Sequence, residues 1–197
     1  MMSKMLVTAS VIYIMLVIVV AHLLTPDAYD WTQNTISDLG AQTYDNAWVM
    51  RLGFIGFGIL LNTGIVLKGL QARRIRIADG LLMLYGASVL LTGIFSVKPF
   101  VDGILYSETQ DMLHTAFAQL AGIAFSLSIV THILSARTTR MRGLHISVFL
   151  LVVVISMMVA LTDGSLVEFP TGIAQRLLWL ISFTWLLTTE RSLMTAI

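Results

Sequence analysis

The chain of 197 residues is 57% hydrophobic and 12% charged, with a mean hydropathy of +0.86 and a formal net charge of +1. A charged fraction about half the usual one excludes an ordinary soluble domain, and the absence of cysteine excludes disulfides, thiolate metal sites and cysteine nucleophiles. At roughly 20 apolar residues per crossing, the length holds several spans and little else, so an all-α integral membrane protein with a single transmembrane domain over residues 1–197 is expected.

A first span is expected over about 5–24, between the weakly basic leader Met1 to Lys4 and the pair Thr25 and Pro26. Its apolar core is too long for a signal peptide and no small-residue cleavage site follows it, so it reads as an uncleaved helix. Thr25 to Asn46 is a polar loop carrying Asp27, Asp30, Asp38 and Asp45, with Trp31 and Tyr44 suited to a membrane interface. The second span, about 47–67, contains Gly53, Gly56, Gly58 and Gly64, small residues at which another helix approaches closely. That Gly-rich face is also where an oligomer would form.

Lys68 to Arg76 is a short basic hinge, and the third span, about 77–97, starts with Asp79 and carries a polar line of Tyr85, Ser88, Thr92 and Ser96. Lys98 to Gln110 is a second polar loop, with Pro99, Asp102, Gly103 and Glu108. The fourth span covers about 111–135, followed by a basic hinge with Arg137, Arg140 and Arg142, and the fifth, about 144–161, has no formal charge. Thr162 to Pro170 is a third polar loop with Asp163 and Glu168, and the sixth span covers about 171–189. Cytoplasmic loops carry the excess of Lys and Arg, and Lys4, both basic hinges and Arg191 fall on one side. A bundle of six transmembrane helices follows, both termini cytoplasmic, its acidic loops facing the outside or periplasm.

Ionisable side chains inside a span are costly and mark functional candidates facing the bundle interior. Arg176 lies about 9 Å below Pro170 along its helix, and Gly172, Gln175, Arg176, Trp179 and Ser182 share one face that should point inward. Its structural alternative is an interfacial arginine paired with Glu168 or a lipid phosphate. His114 stands one turn into the fourth span on a face with Asp111, Thr115, Ala118, Gly122 and Ser126, although lone histidines more often serve packing than chemistry. His22 ends the first helix and Arg51 begins the second, so these groups could converge under the outer loops, with Asp38 and Asp102 as countercharges.

Asn34 to Gly40, with the sequence Asn-Thr-Ile-Ser-Asp-Leu-Gly, reads locally as a turn in which Ser37 and Asp38 bond nearby backbone and Gly40 permits positive φ. Three features together carry a family resemblance. They are Asn34 to Gly40 after helix one, the Pro99 to Asp102 loop followed by His114, and the Gly172-Ile173-Ala174-Gln175-Arg176 start of helix six. On these the chain resembles, over nearly its whole length, a bacterial and archaeal six-helix membrane family, number nine-nine-eight of the domain-of-unknown-function series. The Ile-Ser-Asp-x-Gly loop is more loosely similar to Frag1/DRAM type membrane proteins. The resemblance implies the cell (inner) membrane of a prokaryote and supplies no chemistry.

Four functions are open at this point. An outer-face pocket formed by Asp38, Arg51, Asp102, Asp111, His114, Gln175 and Arg176 could bind an anionic lipid headgroup or small ligand, since the arginine fork makes paired charge-assisted bonds. A membrane-embedded hydrolase or transferase could use Ser37, Asp38 and His114, with His22, Asp38 and His114 as metal candidates for a site needing three protein ligands. A small transporter would line a path with the polar stripes. A haem cytochrome would use His114 and His132, 18 residues apart on one helical face, with His22 and His145 as second ligands. Membrane lipids are the expected partners. The short basic hinges are explained by topology, so no nucleic-acid partner is expected.

Overall fold

The computed structural model describes residues 2–163 and 169–192. Within them the regular structure is all helical: α1 (Met2–Leu23), a 3-10 turn (Ser37–Gly40), α2 (Ala47–Ala72), α3 (Ile77–Ile94), α4 (Glu108–Ser135), α5 (Thr139–Asp163) and α6 (Thr171–Ser192). The six expected helices all form, with shifted ends. Lys68 lies inside α2, and Arg140 and Arg142 lie inside α5, so the basic linkers are shorter than the charge pattern implied. α2 stops where Arg73 takes a left-handed conformation (φ 49°), its N–H and that of Arg74 bonding Leu70 and Gly69 carbonyls. α3 starts on a capping box between Arg76 and Asp79, and Ser107 Oγ accepts the Gln110 N–H to start α4.

Among the described residues, α1 to α5 are long and apolar enough to cross a membrane. α6 has 22 residues but carries Gln175 and Arg176, and falls outside that set. Each helix packs on the next in an up-and-down order, and α6 closes back toward α1. One end of the bundle, here the loop end, gathers the residue 24–46 and 95–107 connections and the start of α6. The opposite hinge end carries the α2–α3 and α4–α5 links.

Lipid removes the hydrophobic drive between helices, so close backbone approach and dispersion contacts must hold the bundle. Gly58 shows the first: a Cβ there would collide with the Gly86 carbonyl and lie 2.7 Å from Leu90 Cβ. Gly53 and Gly64 face α1 in the same way. The expected oligomer face of α2 is therefore largely taken up by α1 and α3 of the same chain. The second contribution is aromatic: Phe57 of α2 packs edge-on against Tyr85 of α3 and Trp179 of α6, and Phe125 of α4 against Trp185, each such pair worth about 0.5–1.5 kcal/mol beyond area burial. Exposed apolar side chains line the outward faces of α1 and α5, as a lipid-facing surface requires.

Candidate functional site

Residues 26–41 build the loop end. Asp30 Oδ1 accepts the Thr32 N–H and hydroxyl, and Asn34 Oδ1 accepts the Asp30 N–H. Asp38 Oδ2 accepts the Thr35 N–H at 2.6 Å while Thr35 Oγ1 accepts the Asp38 N–H at 3.2 Å, a reciprocal pair that sets the 3-10 turn. Gly40 does not take the positive φ expected of it; Thr43 does (φ 65°), and Gly40 instead leaves room for the Arg51 stem. Burial pushes the Asp38 carboxyl above its ordinary range, against the Thr35 hydrogen bonds and the nearby His114 and Lys98.

The start of α6 is seated in this loop. Thr171 Oγ1 donates to the Gln33 carbonyl and the Ile173 N–H to the Thr32 carbonyl. Gly172 lies so close that an added Cβ would meet three loop carbonyl oxygens, those of Asn34, Trp31 (2.6 Å) and Thr32 (2.7 Å). Gln175 Oε1 accepts the Ile36 and Ser37 N–H groups, at 2.6 and 3.3 Å. Arg176 donates from one terminal nitrogen to the Asn34 and Gly172 carbonyls and from the other to His22 Nε2 and Tyr29 Oη, each at 2.7–2.9 Å, with Trp31 6.0 Å from the guanidinium.

This overturns the expected pairing of Arg176 with Asp38. Asp38 is used by Thr35, and Arg176 has no carboxylate partner among the described residues; Glu168, its alternative partner, lies outside them. His22 Nδ1 donates to the Ile18 carbonyl and its Nε2 accepts from Arg176, so the ring is neutral with both nitrogens engaged. Tyr29 Oη–H donates to the Thr35 carbonyl at 2.8 Å, and burial pushes its hydroxyl up to about 12 despite Arg176. A phenol raised from its ordinary 10.0 stabilises the fold fully below pH 10, and that contribution is lost as pH rises through about 12. The melting temperature in detergent is therefore expected to fall between pH 10 and 12 more steeply for the wild type than for Tyr29→Phe; parallel curves would contradict this role.

The other sequence candidates are dispersed. Arg51 donates to the Gly93 and Ile94 carbonyls at the end of α3, where its cation suits the helix C-terminus. His114 Nδ1 lies 3.1 and 2.9 Å from the Thr92 and Phe95 carbonyls and so carries the proton. Asp111 accepts the Lys98 N–H, and Asp102 is exposed in its loop. Ser37 Oγ has only the Gln175 amide as partner, at 3.4 Å, with no imidazole or carboxylate on it among the described residues. No three His, Asp or Glu side chains come together in an arrangement able to hold a metal there, so His22, Asp38 and His114 do not form the expected ligand set.

Beneath the Ser37–Gln175 contact lies a cavity of about 180 Å³ between α2, α3, α4, α5 and α6. Its walls include Phe54, Tyr85, Phe125 and Trp179, and no Asp, Glu, Lys, Arg or His lines it. Ala118 and Gly122 of α4 and Ser156 of α5 border it and are exposed, so it opens sideways between those helices. The α4 face of His114, Ala118 and Gly122 is therefore split: His114 is buried, while Ala118 and Gly122 form the cavity mouth. A larger cleft of about 360 Å³ lies between the two loops at the loop end, against Tyr44 and Phe100.

The hinge end holds a group that sequence reasoning considered only as haem ligands. His132 Nδ1 bonds the Ser128 carbonyl, and Trp185 Nε1–H donates to His145 Nδ1 at 3.0 Å. The three rings pack on one another, with the His132 and His145 centroids 5.5 Å apart. Trp185 thus takes up the lone pair on His145 Nδ1. Nearby Asp79 is buried between Lys68 at 3.1 Å and Arg76 at 3.0 Å.

Long apolar helices, an all-α bundle and glycine-mediated crossings define a multi-pass α-helical membrane protein. The chain belongs to the family described as Protein of unknown function (DUF998), which it matches over residues 7–190. No curated protein and no solved structure matches it.

Proposed function

We propose that this membrane protein binds a membrane amphiphile, holding one uncharged end of it in the cavity beneath the 3-10 turn. The observation that carries the reading is the cavity itself, about 180 Å³, uncharged, and bordered by exposed Ala118, Gly122 and Ser156 well inside their helices. Drug-sized ligands need roughly 300 Å³ or more, so only part of a molecule fits and the remainder extends through the side opening into lipid. Ala118 lies about 15 Å along α4 from Glu108, a depth reached from the bilayer rather than from water. The basic hinge end faces the cytoplasm in this reading, which puts the cavity in the outer half of a cell membrane.

Gly122 provides the test, because a Cβ built there meets nothing within 4 Å. Gly122→Phe should block the mouth and leave the helix packing intact. Native mass spectrometry of protein released from its own membranes is expected to show a bound amphiphile on the wild type and at least tenfold lower occupancy on the variant. Equal occupancy would end the proposal.

A second reading, an anionic headgroup at the loop end, is favoured by the guanidinium of Arg176, which lacks an acidic partner among the described residues. The same spectra separate the two, since an anionic phospholipid held there survives Gly122→Phe.

A further inference from the structure

We infer that the end of the amphiphile held in the cavity is a flat, uncharged ring with hydrogen-bond-accepting oxygens on opposite edges, a quinone-type headgroup. This rests on the cavity reading above and adds the chemical class of its ligand. The size comes first. An apolar cavity of roughly 150 Å³ takes a benzene molecule, so about 180 Å³ takes one substituted ring.

The walls come next. Phe54, Tyr85, Phe125 and Trp179 line the cavity from four different helices, a setting in which a planar π-system gains directional contacts that an acyl chain does not. The absence of any charged lining residue disfavours a phosphate, carboxylate or ammonium, whose charge would be desolvated there without a partner.

Polar atoms then fix the ring. At the loop end of the cavity, the Gln175 amide is oriented by two backbone donors on its Oε1, which turns its NH2 group away from those donors. Its contact with Ser37 Oγ leaves the Ser37 proton free to donate. Deeper in the cavity, Tyr85 lines the wall, and its hydroxyl has no hydrogen-bond partner among the described residues. Tyr85 lies seven residues from Thr92, about 10 Å along α3, and both line the cavity together with Ser37 and Gln175. Two ring oxygens on opposite edges, each about 2.8 Å from its donor, bridge a gap on this scale. Thr92 Oγ1 and Ser182 Oγ donate to backbone carbonyls of their own helices and keep lone pairs toward the cavity, which suits a hydroxyl-bearing reduced ring as well.

The experiment compares two probes that share a ten-carbon tail, decyl-benzoquinone and methyl decanoate, by equilibrium binding to purified protein in nanodiscs, with Gly122→Phe measuring partition into lipid. The expected result is saturable quinone binding to the wild type, at least tenfold tighter than methyl decanoate. It should weaken about tenfold in Tyr85→Phe, the fold-change for one hydrogen bond in a dry site, and similarly in Ser37→Ala. Tyr85→Phe removes no protein contact of the hydroxyl, so its fold should survive, as a melting curve checks. Quinone binding no tighter than methyl decanoate, or unchanged in both variants, overturns the inference. If methyl decanoate alone binds above the Gly122→Phe level, the ring falls and the cavity reading stands; if neither probe exceeds that level, both fall.

Discussion

Replacing Arg176 with Leu is expected to lower the melting temperature in detergent by about 4–16 °C, which corresponds to about 2–4 kcal/mol for a chain of this size. The guanidinium makes four hydrogen bonds of 2.7–2.9 Å, tying α6 to α1 through His22 and to the loop through Tyr29 and Asn34. Removing it leaves the Asn34 carbonyl, His22 Nε2 and Tyr29 Oη without their donor in a half-buried site. Each loss costs about 0.5–1.5 kcal/mol. Arg176→Lys should recover less than half of the loss, because an ammonium cannot reach two partners on each of two forked nitrogens. A variant melting within 1 °C of the wild type would show that Arg176 does not hold the bundle together. The measurement also bears on ligand binding: if Arg176→Leu melts normally yet sheds anionic lipid, the guanidinium serves a headgroup instead of the loop.

The second large effect is expected at Gly172. Gly172→Ala places a methyl group against the carbonyl oxygens of Asn34, Trp31 and Thr32, all backbone atoms of a loop already fixed by its own hydrogen bonds. Overpacking of this kind costs about 1–3 kcal/mol, and here the strain falls on the seat of α6. Gly122→Ala is the matched control, since its Cβ meets nothing and helix propensity alone should stabilise it by up to about 1 kcal/mol. The two alanine variants should therefore move the melting temperature in opposite directions. If both move it upward, α6 does not dock on the loop as described.

Arg176, Gly172 and Gln175 were all visible in the sequence, and so was the Asn34 to Gly40 loop. Their connection was not. The expected countercharges for Arg176 and its neighbours were Asp38 and Asp102, because a buried cation calls for an anion when only residue types are known. The structure meets that need with two carbonyls, an imidazole and a phenol, groups that carry no formal charge and so give no sign of themselves in a charge pattern. Tyr29 was overlooked for the same reason. The hinge-end pairing of Trp185 with His145, 40 residues apart, has no local signature either. A tryptophan inside an apolar span looks like packing until its N–H finds a partner.

What the sequence by itself determined was the six helices, the membrane as their solvent and the grouping of the basic residues in the α2–α3 and α4–α5 links, because hydropathy over about 20 residues and the clustering of Lys and Arg are local, additive properties of the chain. Only the tertiary structure decided that the loop of Asn34 to Gly40 is the seat of α6, that the glycines of α2 are used within the chain, and that an uncharged cavity opens between α4 and α5. Those features depend on which helices are neighbours and how each is rotated. In a bilayer that choice is made by close packing and by satisfying polar groups one at a time, terms that are each small and become definite only when the helices meet.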